Sequence, residues 1–152
     1  MIRRAWRIVK ARHATTAFDG EGARLNGGRW NSPSERVVYA SATKSLAALE
    51  TLVHLIPPVT FKYVAIPIEF EESLIEAIRL GSLPFDWGDN PPPPSAQAIG
   101  DIWVEEARSA ILELPSAIVP SESNYLLNPL HPDFHRIVIG KPEIFSFDRR
   151  LL

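Results

Sequence analysis

Arg36-Val37-Val38-Tyr39-Ala40-Ser41-Ala42-Thr43-Lys44-Ser45-Leu46-Ala47-Ala48-Leu49-Glu50-Thr51-Leu52-Val53-His54 carries two hydrophobic periods in a single run. Arg36 to Ala40 predicts a strand with Tyr39 near its end. The strand runs directly into a helix over 41–54, with Ser41 or Thr43 as N-cap and Pro57-Pro58 as the stop. At about 100° per residue, Leu46, Leu49, Leu52 and Val53 share one arc, and Glu50 falls beside Leu46 on it. A lone carboxylate on an apolar stripe is costly unless it is paired or opens into a cavity. Glu50 is therefore a site candidate, although a buried structural ion pair would look the same.

Upstream stands Asn26-Gly27-Gly28-Arg29-Trp30-Asn31. Two glycines let the backbone bend where side chains would block it, leaving Arg29 to project from a loop. Its planar fork of donors matches phosphate or carboxylate oxygens, so the stretch reads as an anion clamp. The plain alternative is a turn whose Arg29 makes a surface ion pair. Trp30 and Asn31 read as support behind the clamp.

Ala5 to Val9 predicts a first strand, and Thr15 to Gly28 a polar, glycine-rich loop. Thr60 to Phe70 is the longest strand candidate, and Pro67 within it requires an edge position or a bulge. Leu80 to Ser95 is irregular, leading to a second helix over 95–108 in which Gly100 permits close packing. Ile111–Leu114 and Ala117–Val119 predict short strands around the Pro115-Ser116 kink, Ser121–His135 a loop, and Arg136–Ile139 with Glu143–Phe147 a terminal hairpin. Several strands and two substantial helices without regular βαβ alternation define an α+β chain.

Composition sets the outer bounds. The chain of 152 residues, 45% hydrophobic and 22% charged, suits one ordinary globular domain. No apolar run approaches the roughly 20 residues of a membrane span. The first residues carry charge without a following apolar region, so no secretory signal is expected. There is no cysteine, hence no disulfide framework or thiolate metal site; a cytoplasmic location is the expectation. The net charge of −2 conceals an asymmetry. Arg3, Arg4, Arg7, Lys10, Arg12, Arg24, Arg29 and Arg36 face only Asp19, Glu21 and Glu35 in the first 36 residues. That balance suits a phosphate-bearing ligand or an acidic partner, or simply a solvated face.

Arg29, Tyr39 and Glu50 around one cavity would form a coherent set. Arg29 would hold a pyrophosphate, and Tyr39 would offer a flat face to a planar heterocycle. Glu50 would stabilise positive charge developing on a sugar, as carboxylates do in glycosidic cleavage. NAD+ carries a pyrophosphate, a pyridinium ring and a labile N-glycosidic bond. Its nicotinamide leaves as a neutral molecule, so no second carboxylate is required.

Gly27-Gly28-Arg29-Trp30-Asn31, Val38-Tyr39-Ala40-Ser41, Leu46-Ala47-Ala48-Leu49-Glu50 and Leu114-Pro115-Ser116 resemble the successive motifs of the RES domain family. Asn124-Tyr125-Leu126-Leu127-Asn128-Pro129 resembles its later Asn-Pro segment. The resemblance covers nearly the whole chain in order and implies a single RES domain over 1–152 with an ADP-ribosyltransferase-like fold of twisted, mostly antiparallel sheets and a few flanking helices. It implies a toxin of a bacterial toxin–antitoxin pair that arrests growth by consuming NAD+. It implies an Xre-like helix-turn-helix antitoxin as partner, and allows a homodimer of the toxin within their hetero-oligomer. The family's arginine, glutamate and serine would be Arg29, Glu50 and Ser116, with Ser121 and Ser123 as alternatives for the serine. Arg29, Tyr39, Trp30, Asn31 and Ser41 would bind NAD+, which is a substrate, and no metal is expected. Ser116 would hydrogen-bond the ligand, unless its hydroxyl only satisfies backbone at the kink. The acceptor stays open: water gives hydrolysis, inorganic phosphate gives phosphorolysis, and a protein nucleophile gives ADP-ribosylation.

Two rivals come from other classes. Glu50 and His54, four apart on a helix, with His131 and His135, would suit a metal-dependent hydrolase, but no segment matches a His-Glu-x-x-His pattern. A non-enzymatic module would use the basic first third on nucleic acid, but no nucleic-acid-binding motif is present. Neither a nucleic-acid nor a membrane partner is expected.

Overall fold

A computed structural model describes residues 1–152. In chain order it contains β1 (Ile2–Lys10), α1 (Glu21–Asn26), β2 (Val38–Ser41), α2 (Lys44–Leu52), β3 (Tyr63–Glu71), β4 (Ile75–Ala77), α3 (Pro94–Glu105), β5 (Ile111–Pro115), β6 (Ser123–Leu127), β7 (Val138–Ile139) and β8 (Glu143–Phe145). The strands form one sheet in the order β4-β5-β6-β2-β1-β3-β7, with β8 also on β3. Only β4 and β5 run parallel. The α+β expectation holds.

Alternation along the strands divides the core between the two faces of the sheet. Ile111, Tyr125 and Leu127 join Val38, Ile68 and Phe70 on one face. Leu112, Leu114 and Leu126 join Trp30 and Trp103 on the other, beneath α3. Gly100 of α3 lies against the carbonyl of Trp30 so closely that an added Cβ would stand 1.8 Å from that oxygen. The same helix face straps the Gly27–Glu35 loop: Gln97 Nε2 donates to the Gly28 carbonyl, and Asp101 accepts from Ser32 N and Oγ.

Several expectations need correction. The 15–28 segment contains a helix, α1, bounded by Gly20 and Gly27 with φ of 78° and 71°. Residues 117–119 form a turn, and the strand that follows the kink is β6, in the region read as loop. Arg136–Phe147 is not a hairpin, because β7 and β8 both pair with β3, one after the other. Between them 140–142 face only Ile66 and Pro67, so one extra residue makes a bulge opposite the proline. The Pro67 carbonyl accepts from Gly140 N at 2.8 Å, and its missing N–H points to the same gap. The helix α2 starts from Thr43, whose side chain accepts from Leu46 N at 3.0 Å. Its buried face is Leu46 and Ala47. Leu49 and Leu52 instead line an outer groove with Phe145 and Leu151, so the apolar arc is rotated from the expected one.

Candidate active site

The sheet opens beside β1. That strand pairs with β3 at nine positions but with β2 at one, Trp6 opposite Ser41. Past that point Arg7 spans the opening: Nε donates to the Ala17 carbonyl at 2.7 Å and Nη1 to the Tyr39 carbonyl at 2.9 Å. Its Nη2 has no partner in the protein. Burial lowers the Arg7 pKa to about 10, against the opposing pull of Asp19, so the group remains cationic at neutral pH.

A cleft of about 720 Å³ lies on this opening, lined by Arg7, Lys10, His13, Tyr39, Thr51 and His54 among others. Ligand sites commonly occupy about 300–1,000 Å³. Arg7, Ile8 and Tyr39 also line a smaller hollow of about 70 Å³, whose other walls include Ser41, Glu50 and Asn124. The two spaces therefore meet at Arg7 and Tyr39. Two further basic residues near the cleft are already committed: Arg24 and Arg36 both pair with Glu21 and, with the Arg24 hydrogen bond as the main cause, hold its carboxyl down to about 2.

Glu50 is held at the floor of the hollow. Its Oε1 accepts from Ser116 Oγ and from Asn124 Nδ2, each at 2.7 Å, while Oε2 has no protein donor. Ser116 is fully buried, and its oxygen also accepts from the amides of Ile118 and Val119 at 3.0 and 3.1 Å. The hydroxyl thus satisfies backbone at the kink, as one of its two readings expects, and goes to Glu50 on its other side; Ser116 lines neither space. Ser121 is exposed, and Ser123 lies in β6 opposite Pro115.

Tyr39 is pinned by the loop before it. Its hydroxyl donates to Asn31 Oδ1 at 2.6 Å and accepts from Trp30 N at 3.1 Å. Burial pushes its pKa well above the usual phenol value. Gly28 makes the approach feasible, because an added Cβ would stand 2.5 Å from the Tyr39 hydroxyl oxygen. Asn31 is itself buried and donates to the carbonyls of Ala23, Ser32 and Glu35. Trp30 stacks on Trp87 within the core. Both residues stand behind Tyr39 and not on the cleft wall, the supporting place their sequence reading assigns them and not the direct contact with NAD+ that the resemblance implies.

Arg29 does not join Glu50. Its Nη1 donates to the carbonyls of Trp87 and Asp89 at 2.9 and 2.8 Å, tying the loop to the proline-rich connection, and it lines neither space. The structure thus brings Tyr39, Ser41, Glu50 and Ser116 together and adds Arg7 and Asn124, which the sequence reading did not single out. A signal existed for Arg7: a cation between Trp6 and Ile8 in a strand raises the same question as Glu50 on its helix. His54 reaches the cleft, whereas the ring nitrogens of His131 bond the Ala107 carbonyl and the Asp133 amide, and a ring nitrogen of His135 bonds the Pro132 carbonyl.

Arg7 and the anchored Glu50 thus line one hollow beside the opening of a mostly antiparallel sheet. The sequence model of the RES domain matches residues 4–148, and the chain belongs to that family. It is 38% identical over 148 residues to "Toxin Res" of Yersinia enterocolitica, covering 96% of this chain and 97% of that protein. It is 35% identical over 153 residues to "Prs ADP-ribosylating toxin" of a Sphingobium species, covering 97% and 95%. The fold is also that of a chain in the M. tuberculosis MbcT–MbcA toxin–antitoxin complex, with a TM-score of 0.78, 15% identity and coverage of 96% and 85%.

Proposed function

We propose that this protein is the toxin of a bacterial toxin–antitoxin pair and that it consumes NAD+ by cleaving the nicotinamide–ribose bond. The observation that carries this reading is the Glu50 carboxylate, with Oε2 free, in a small hollow that shares Arg7 and Tyr39 with the neighbouring cleft. As the C1′–N bond breaks, its electron pair leaves with neutral nicotinamide and positive charge develops on the ribose. Glu50 stabilises that charge. Arg7, and not Arg29, offers its remaining donor to the pyrophosphate. Tyr39 provides a fixed wall for the nicotinamide end. Water then forms the new C1′–O bond and releases a proton, giving ADP-ribose. Inorganic phosphate in its place gives ADP-ribose 1″-phosphate.

The resemblance to an ADP-ribosylating toxin favours a second reading, in which a protein side chain is the acceptor. The chemistry at Glu50 is the same, and only the nucleophile differs. Likeness to a chain solved in a toxin–antitoxin complex supports a protein antitoxin as partner, for which an Xre-like helix-turn-helix protein is the specific proposal.

The test is product analysis of NAD+ incubated with the purified protein, with and without inorganic phosphate and with a bacterial lysate. ADP-ribose, its 1″-phosphate or a labelled protein separates the acceptors. Intact NAD+ under all three conditions overturns the reading.

A further inference from the structure

We propose that Asn124 is a positioning residue that clamps Glu50 by one oxygen and leaves the other aimed at the scissile sugar. The inference rests on the NAD+-cleaving reading above. Asn124 lies in β6 directly opposite Ser41 of β2, and only 8% of its surface is exposed. Its Nδ2 donates to Glu50 Oε1 at 2.7 Å, and its Oδ1 accepts from Ser41 Oγ at 2.7 Å. An ionised carboxylate only accepts, so the amino half of the amide must face Glu50 and the carbonyl half must face the serine hydroxyl. The acceptor-only carboxylate therefore sets the orientation of the amide, and the Ser41 hydroxyl, free to donate or accept, donates to its carbonyl oxygen and steadies the amide against Glu50.

Ser116 places a second donor on the same Oε1. Rotation of the carboxylate would break both bonds in a confined, largely buried setting. Oε2 is thus held ready beside the space walled by Asn124, Arg7 and Tyr39, with no reorganisation required when positive charge develops. The residue type matters. A lysine or arginine at this place would satisfy the same oxygen but neutralise the charge that the transition state uses, whereas an amide donates without doing so. The register matters as well, because a slip of one residue in β6 would turn Asn124 to the opposite face of the sheet.

The experiment measures NAD+ loss from about pH 5.5 to 9 for the wild-type protein, Asn124→Asp and Asn124→Ala, with thermal melts as the check on folding. Side-chain carboxyl titration by 13C NMR is run in parallel on Asn124→Asp and on Asn124→Asp combined with Glu50→Gln. Two carboxyls in one site hold a shared proton to higher pH than either does alone. For Asn124→Asp the rate is expected to fall about tenfold near pH 6, where the shared proton still lets one carboxyl donate to the other, and about a hundredfold towards pH 9, where both only accept and repel, a slope the wild type lacks. For Asn124→Ala, kcat should fall about tenfold with KM within about twofold. The shared proton should disappear in the double variant.

An Asn124→Asp profile parallel to the wild type, or an Asn124→Ala defect confined to KM, overturns the positioning role while NAD+ cleavage stands. A shared proton in a protein whose wild type leaves NAD+ intact supports the clamp and overturns the reaction.

Discussion

Arg7 and Arg29 belong to the same basic opening third of the chain, and the fold uses them differently. Arg29 follows two glycines, and its guanidinium folds back onto the carbonyls of Trp87 and Asp89. Arg7 comes from the middle of a nine-residue strand and reaches across the point where that strand parts from its neighbour. The loop arginine ties two connections together. The strand arginine is anchored by Nε and Nη1 with Nη2 left towards the cleft. A flexible stretch therefore supplied a structural tie, while a rigid element supplied the donor. Sites built on strands and helices hold their geometry better than sites on loops.

The sharpest way to test the division is through Glu50, which Arg29 was expected to face and which shares its hollow with Arg7 instead. Glu50→Gln keeps the shape and can still accept from Ser116 and Asn124, but it removes the charge. Nicotinamide release should fall about a thousandfold with an unchanged melting temperature. A variant at full rate would make Glu50 structural. Next in size, Arg7→Lys retains a cation but loses the fork that bridges Ala17 and Tyr39. NAD+ loss should drop by about ten- to a hundredfold, chiefly through KM. A similar drop in Arg29→Lys, with Arg7→Lys unaffected, would reverse the comparison.

Local patterns made part of this legible. Thr43 as N-cap, the strand-to-helix run through Tyr39 and Glu50, the close approach at Gly100 and the bulge at Pro67 all leave marks within a few residues. What stayed hidden depends on pairing across distance. β6 begins Ser-Asn and lacks a clean apolar alternation, because Asn124 serves a carboxylate 74 positions away and not the core. β7 and β8 flank a turn-like Gly140-Lys141-Pro142, yet both pair with β3 and not with each other. The opening between β1 and β2, which makes Arg7 available, is a property of three strands and is written in none of them.

Gly28→Ala should act on the same site from the loop side, with a smaller effect. The added Cβ would collide with a phenol that Asn31 and Trp30 N hold in place, so Tyr39 must shift its wall of the cleft. The rate should fall about tenfold, with a stability loss of about 1–3 kcal/mol. Gly22→Ala meets no neighbour within 4 Å and serves as the control.

The smallest expected effect separates the two arginines by their protons. Burial brings the Arg7 pKa down to about 10. Below that value the guanidinium is charged and its attraction for a pyrophosphate is present; as pH rises through it, the attraction is lost. For folding the sign is opposite, because a buried cation is disfavoured and the penalty of holding it disappears between about pH 10 and 12.5. KM for NAD+ should therefore rise about threefold from about pH 9 to 10.5 in the wild type and in Arg29→Lys. In Arg7→Ala, KM is high from the start and this limb is missing. Direct NAD+ binding by calorimetry over the same range checks it, since binding reports the charge without the chemistry. A limb that survives Arg7→Ala would place the titrating group elsewhere than Arg7.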